Sequence, residues 1–534
     1  MKTIHEMTLH EKVGQLFVAG FHGTAPSEEI VKLIKDYHIS GVIYFARNVE
    51  DPKQVHALTK ELQKAAKDAG AAPLFISIDQ EGGMVARITE GVTLSPGNMA
   101  LGAGNNEDTV YQLGKVVGTE LRLLGINMNY APCIDVNNNP LNPVIGVRSY
   151  GESAEFVARM GVQSVNGLQN ANVSAVVKHF PGHGDTSVDS HLDLPVVHHD
   201  LERLKELELV PFYEAFKHGV DAVMVAHVAF PSIDPEKVPS TLSRKVVTEL
   251  LRGEMGYEGV VVTDCMEMNA IIDYYGIEEA AILAVEAGID QVLISHTFER
   301  QTRAVEAVIK AVESGRISLQ HIDAAVERVL NLKEVRNLQE DSAEWTDCKS
   351  EIGSVKHTEL AQKASEASIT LVKERDGLLP LQSEEKILLI SVDPYVTSGA
   401  DDTLYSEVTI GSFLEEKLPN LTEVIVSVTP EDEVVEKLIL AASGVDKIMV
   451  ATYQAVQHDS QADLVRKLVK EYGDKVGVIA LRSPYDVVKF PEVSTYILTY
   501  ESRKLALQSV SKFFLGEIEA KGKLPITLGT ARVN

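Results

Sequence analysis

The first 335 residues repeat one rhythm: a short β-branched run, a loop holding Gly, Pro or Asn, and a longer stretch with apolar positions at helical spacing. The runs fall at residues 16–21, 39–45, 74–79, 126–131, 173–179, 222–227, 260–264 and 291–295. Helical patterns lie between them, at 52–69, 108–124, 154–169, 202–218 and 277–287. Runs that are apolar throughout belong to strands covered on both faces, so the alternation predicts a parallel sheet clothed in helices. Eight such units in about 300 residues match a (β/α)8 barrel, which takes about 250 residues before loop insertions. An open doubly wound sheet would show the same alternation; the count of eight favours the closed form.

The rhythm stops near residue 336. Residues 336–357 lose their apolar runs and carry Glu340, Asp341, Glu344, Asp347 and Glu351, the composition of a linker. A helix is predicted over 358–373, followed by runs at 387–392, 423–428, 447–452, 476–481 and 495–499 with helices such as 463–472 between them. These five strands predict a smaller three-layer α/β sandwich domain with a mostly parallel sheet. The expected division is therefore a barrel over 1–335, a linker over 336–357 and a second domain over 358–534. That domain shows no catalytic constellation of its own, so a structural or rim-shaping role is expected for it.

Composition narrows the partners. The 534 residues carry 50 Lys and Arg against 77 Asp and Glu, a formal charge of −27, with 45% hydrophobic residues. Such a chain can bury a large core, and its acidity argues against nucleic acid or an anionic membrane as a main partner. Cys133, Cys265 and Cys348 are few and far apart, which suits a reducing compartment rather than a disulfide scaffold. No signal-peptide pattern opens the sequence, and no apolar stretch approaches the roughly 20 residues a membrane helix needs. A cytoplasmic location is expected; nothing in the pattern sets an oligomeric state.

Barrel enzymes carry their chemistry at the carboxyl ends of the strands. Here the third run ends in Asp79, the fifth in Lys178-His179, the sixth in His227 and the seventh in Asp264. This pattern predicts that these five residues meet on one rim, too many to be loop caps alone. Carboxylates such as Asp79 accept hydrogen bonds from hydroxyls, and Arg87, Arg148 and Lys178 donate them, a mixture suited to a polyhydroxylated ligand. Arg87 and Arg148 have an alternative duty, ion pairing to Asp79 or Glu81 to hold the loops.

The loop after the fifth run is the densest in chemistry. It holds Phe180-Pro181-Gly182-His183-Gly184-Asp185 and then Asp189-Ser190-His191. Asp189 stands two residues from His191, close enough to orient its imidazole as a general acid/base near neutral pH. The same loop could be drawn as a metal cluster of His179, His183, Asp185, Asp189 and His191. Its spacing fits no compact metal motif, and the first run ends in Phe21-His22-Gly23 without the His-x-His pair of metal-dependent barrel hydrolases.

Three segments carry a family resemblance: Ile78-Asp79-Gln80-Glu81-Gly82-Gly83, Lys178 to Gly184 with Asp189-Ser190-His191, and Thr263-Asp264-Cys265-Met266-Glu267-Met268. Together they resemble glycoside hydrolase family 3, in particular its NagZ-type β-N-acetylglucosaminidase branch. The second domain also resembles that of two-domain members, in residues 364–373, Leu379-Pro380-Leu381 and Gly522-Lys523-Leu524-Pro525. The resemblance implies that Asp264 is the nucleophile of a retaining double displacement, with His191 and Asp189 as the acid/base dyad. It places Asp79, Arg87, Arg148, Lys178 and His179 on the terminal sugar, and the strand-end pattern adds His227 as a binding candidate. The implied reaction removes a non-reducing terminal β-linked N-acetylglucosamine from muropeptide or chitin-type oligosaccharides, a small amino-sugar substrate. No metal or organic cofactor is expected. Phosphorolysis to N-acetylglucosamine 1-phosphate is the alternative, because a histidine acid/base repels phosphate less than a carboxylate does. Glu267 reads as a helix-start residue favoured by the dipole, and Cys265 as a packing residue.

Overall fold

The eight apolar runs form eight parallel strands: β1 (Phe17–Ala19), β2 (Gly41–Tyr44), β3 (Phe75–Ile78), β4 (Met128–Asn129), β5 (Ser174–Phe180), β6 (Ala222–Val225), β7 (Val260–Thr263) and β8 (Val292–Ile294). Their hydrogen-bonded order is β8-β1-β2-β3-β4-β5-β6-β7. The ring closes between β7 and β8 through a parallel bridge at Val262 and Gln291, with Thr263 N donating to Gln291 O at 3.0 Å. The computed structural model describes residues 2–187, 193–340, 343–375, 377–394, 401 and 408–529.

Side chains along each strand alternate between two cores. Val18, Ile43, Phe75, Tyr130, Val176, Met224, Val262 and Leu293 form one buried cluster, the filling of the barrel. Their strand neighbours Phe17, Val42, Ile76, Val177, Val223, Val261 and Ile294 belong to the larger cluster under the helices. The two-residue period continues past the strand ends. It assigns Asp79, two pleats beyond Phe75, to the inward face, and likewise Lys178 after Val176 and Asp264 after Val262. His227 follows Val223 and Val225 on the outward parity.

Two helical expectations change. The pattern at 202–218 is two helices, Leu201–Glu206 and Val210–Lys217, because Pro211 supplies no N–H and must sit in a first turn. The helix expected over 358–373 runs from Val355 to Ser368 and gives way to strand β9 (Thr370–Lys373), where the β-branched Ile369, Thr370 and Val372 follow Ser368. The remaining strands are β10 (Ile387–Val392), β11 (Leu421–Val426), β12 (Lys447–Thr452), β13 (Val476–Ala480) and β14 (Thr495–Leu498). The sheet order is β9-β14-β13-β12-β10-β11, parallel except for β9, which pairs antiparallel with β14.

The two sheets share a seam. Met84, Val147 and three residues of the barrel-side helix Asn98–Gly104, Met99, Ala100 and Ala103, belong to the hydrophobic cluster of the second sheet. Backbone bonds reinforce the contact, Lys523 N to Ala103 O at 2.8 Å and Glu152 N to Pro525 O at 3.1 Å. Glu120, on the barrel helix Glu107–Leu123, ties the connecting segment down by accepting from Gly353 N (3.1 Å) and His357 Nδ1 (2.8 Å). Among the described residues no helix is long and apolar enough to cross a membrane.

The barrel floor contains a buried lysine. Lys333, near the end of the helix Leu319–Val335, donates to Gln15 Oε1 at 2.7 Å and Ser40 O at 2.9 Å, and lies 5.3 Å from the centroid of Phe75. Burial pushes its ammonium well below the ordinary 10.5, so the unfolded chain binds the extra proton. Linkage then makes stability rise with pH up to about 10.5, where the unfolded lysine titrates, and fall on acidification. Urea melts at a series of pH values should show this rise in the wild type and a flatter profile in Lys333→Met.

Candidate active site

At the carboxyl ends of the strands the inward face opens into a cavity of about 450 Å³. Barrel-filling side chains close it below, including Tyr130, Met224 and Leu293, so it is a blind pocket. Asp79, Glu81, Arg87, Arg148, Lys178 and His179 line one wall, and Asp264 lines the same cavity.

That wall is an interlocked set of charges. Lys178 Nζ lies 2.7 Å from both Asp79 Oδ1 and Glu81 Oε1. Arg87 Nη2 reaches Asp79 Oδ2 at 3.3 Å, and Arg148 grips Glu81 with Nε at 3.0 Å and Nη2 at 2.7 Å. The loop-holding ion pairs expected for the two arginines are therefore present, and both arginines still border the cavity. Burial opposes ionisation of Asp79 and Glu81. The adjacent cations outweigh it and hold both carboxyls below their ordinary values. Burial likewise opposes the charge on Lys178, and Asp79 and Glu81 reverse the effect and raise it. The set stays ionised near neutral pH and presents donors and acceptors together.

Local backbone explains how two consecutive residues of β5 reach this wall. The pairing of β5 with β6 slips between Val177 and Phe180, placing an extra residue on β5. Such a bulge re-aims side chains, and Lys178 and His179 both face the cavity. His179 is fixed from behind by Asp135, which takes Nδ1–H at 2.7 Å, while Nε2 accepts from Arg148 at 3.4 Å. Asp135 is fully buried and also receives His183 N at 2.7 Å and the Cys133 thiol at 3.2 Å. Burial acts to raise its pKa, but His179 and His183 bring it down to about 2. Cys133, Asp135 and His179 have ligand atoms within 4.8 Å of one another. A metal ligand would have to be a thiolate, whereas burial drives the Cys133 thiol well above its ordinary value. The trio fits a hydrogen-bonded hub better than a metal site.

The other histidines divide by position. His183 lines the cavity and is pushed down to about 4 by burial, with His179 adding to the effect, so it is neutral at physiological pH. His296 lines it as well and is lowered by burial and by Arg47. His227, offered as a sugar contact, is buried and does not line the cavity: its Nδ1 meets Thr241 Oγ1 at 2.6 Å and its Nε2 meets Cys265 O at 2.9 Å. The outward parity of β6 accounts for this, and the contacts suit a residue that braces the loop after β7. Asp189 and His191 lie outside the described residues.

Asp264 directly follows β7, with Oδ1 accepting its neighbour's amide, Cys265 N, at 2.7 Å. Burial raises the Cys265 thiol to about 11, which keeps it protonated and makes it a lining group rather than a nucleophile. Glu267 is not at the start of its own helix. It accepts His296 N at 2.6 Å and Thr297 N at 3.3 Å, at the N-terminus of the helix Phe298–Glu313, and pairs with Arg300 at 3.3 Å. The helix dipole acts here, but from the next βα unit, and it ties the loops after β7 and β8 together.

The family model described as Glycosyl hydrolase family 3 N terminal domain matches residues 8–332. The chain belongs to glycosyl hydrolase family 3. A relative named beta-hexosaminidase A, from Pseudoalteromonas piscicida, is 33% identical over 94% of this chain and 91% of its own length. A beta-N-acetylglucosaminidase/beta-glucosidase from Cellulomonas fimi is 28% identical over 98% of this chain and 94% of its own. The solved family 3 beta-N-acetylglucosaminidase from Paenibacillus sp. str. FPU-7 superposes with a TM-score of 0.94 at 46% identity, covering 98% of this chain and 99% of that one.

This family 3 cavity has lining residues that strand-end reasoning passed over. Arg47 lies in the short turn Ala46–Asn48 just past β2, and donates to Phe21 O at 2.8 Å and Ser295 O at 2.6 Å. Asp401 comes from beyond the barrel: its buried carboxylate is gripped by Arg482 at 2.8 and 3.2 Å, and it borders the cavity. The polar residue just past run two was a usable signal for Arg47; none marked Asp401.

Asp135→Asn separates charge from shape at the hub. The depressed carboxylate stabilises the fold fully above the unfolded value near 3.8 and loses that contribution as pH falls through about 2. The shift corresponds to about 2 kcal/mol. Acid denaturation curves should lose this component in the variant, and kcat/KM at pH 7 should fall by roughly 10–100-fold as His179 loses its orientation.

Proposed function

We propose that the protein is a retaining, exo-acting β-N-acetylglucosaminidase that removes a non-reducing terminal β-linked N-acetylglucosamine from muropeptide or chitin-type oligosaccharides. The observation that carries this reading is a blind cavity holding Asp264 together with the Asp79, Glu81, Arg87, Arg148 and Lys178 charge set. A cavity of about 450 Å³ is toward the small end for ligand sites and suits the end of a chain rather than its middle. The relatives named for β-N-acetylglucosaminidase or β-hexosaminidase activity supply the acetamido sugar.

In this mechanism Asp264 attacks the anomeric carbon while the glycosidic C–O bond breaks. The leaving oxygen takes a proton from the His191 imidazolium, which Asp189 orients. The resulting neutral His191 then draws a proton from water as the water oxygen attacks the same carbon and frees the Asp264 carboxylate. His183, a cavity histidine that burial pushes down to about 4, is a poor proton donor near neutral pH. Asp79 accepts sugar hydroxyls, and Arg87, Arg148 and Lys178 donate to them. Substrate groups then exchange with existing ion pairs, and no bare charge is buried.

Nitrophenyl glycosides with and without the 2-acetamido group test the sugar, with N-acetylglucosaminide expected as the preferred substrate. Asp264→Asn should lower kcat by about 10⁴-fold or more. Products from chitobiose and a GlcNAc–MurNAc fragment, analysed by mass spectrometry in phosphate and in non-phosphate buffer, should be free sugars in both. N-acetylglucosamine 1-phosphate in the first buffer would replace hydrolysis by phosphorolysis, and full turnover by Asp264→Asn would remove the nucleophile.

A further inference from the structure

The charge wall of the cavity is held partly on a hairpin that the barrel does not brace alone. Residues Gln80–Gly82 and Val85–Ala86 form a two-stranded hairpin between Asp79 and Arg87, with Glu81 on its first arm. Its base is zipped by Gln80, whose side chain accepts Arg87 N at 3.0 Å and Ile88 N at 3.1 Å. Its tip, Gly82-Gly83-Met84, points at the second domain. Gly82 and Gly83 both have positive φ, and a Cβ on Gly82 would stand 2.6 Å from Ser95 Cβ, so the tip fits its bed closely.

Arg503 reaches this tip from the other side of the seam. Its Nε donates to Gly83 O at 2.6 Å and its Nη2 approaches Met84 O at 3.4 Å. Arg503 is itself fixed at the start of the helix Lys504–Phe514, where the buried Glu501 carboxylate accepts Arg503 N at 2.9 Å and Ala506 N at 3.1 Å. Met84 is buried in the second domain's cluster together with Val147, the neighbour of Arg148. Both loops that present the Glu81–Arg148 pair are therefore anchored across the seam.

We infer that Arg503 is a positioning residue of the active site, a clamp from the second domain that sets the hairpin carrying Glu81 and Arg87 against Lys178 and Arg148. It touches no substrate. Its effect passes through two backbone carbonyls, and loss of the clamp lets the hairpin drift by the fraction of an ångström that degrades a preorganised site. The inference rests on the reading of this cavity as the sugar site.

Arg503→Met and Arg503→Lys test it, with Glu152→Ala as a seam control, since Glu152 accepts Thr527 N at 2.8 Å from the second domain away from the hairpin. In Arg503→Met, KM for the glycoside the wild type cleaves should rise by about tenfold or more, with kcat changed far less and the melting temperature nearly kept. Arg503→Lys keeps one charged donor and should fall between the two; it carries the test if the methionine variant does not fold. Hydrogen exchange in the peptide covering residues 80–88 reads the clamp without turnover and should quicken in the Arg503 variants but not in Glu152→Ala. Wild-type KM and wild-type exchange in every folded Arg503 variant would overturn the inference, as would equal effects in Glu152→Ala. A wild type that cleaves no glycoside sinks the proposed function instead, and the exchange measurement still decides the clamp.

Discussion

The two-residue period of a strand in a closed ring of parallel strands is the constraint on which the rest of the molecule depends. Once Phe75, Val176 and Val262 fill the barrel, the inward parity carries on past the strand ends. There the ring widens into loops, and the inward positions hold Asp79, Lys178 and Asp264. The site needs no special fold of its own. It is the last layer of the barrel filling, with ionisable side chains in place of apolar ones.

Burying such groups would be prohibitive one at a time, because an isolated charge removed from water loses far more than a single contact returns. The molecule distributes the cost by making each carboxylate serve two cations: Asp79 meets Lys178 and Arg87, and Glu81 meets Lys178 and Arg148. Asp135 applies the same economy to neutral donors, collecting a ring N–H, two backbone N–H groups and a thiol. The result is a wall rigid enough to present a fixed pattern and polar enough to trade partners with hydroxyls.

Much of this was legible in the sequence, for identifiable reasons. Strands covered on both faces must be apolar at every position, so all eight barrel runs stood out. Residues such as Asp79, Lys178 and Asp264 stood out because each interrupts such a run at its end. What stayed hidden depended on relations between distant segments. Strand β9 is a half-exposed edge that follows a helix without a break in polarity, so it read as more helix. His227 ends its run as Asp79 does, and the parity that turns it outward appears once Met224 is known to face in. Asp135 sits in a loop, where acidic residues are common. Asp401 lies on a different domain from the cavity it borders.

The contact between Arg503 and Gly83 spans 420 positions of the chain. A ribosome adding about 5–20 residues per second makes the hairpin tip early and its partner near the end. For an interval on the order of ten seconds or more the barrel segment is fully synthesised while Met84, Met99 and Val147 still lack their cover. Biogenesis thus has an order built into it: the chemistry-bearing half is made first and finished last, and the nascent barrel carries an apolar face that chaperones can recognise until the second domain arrives.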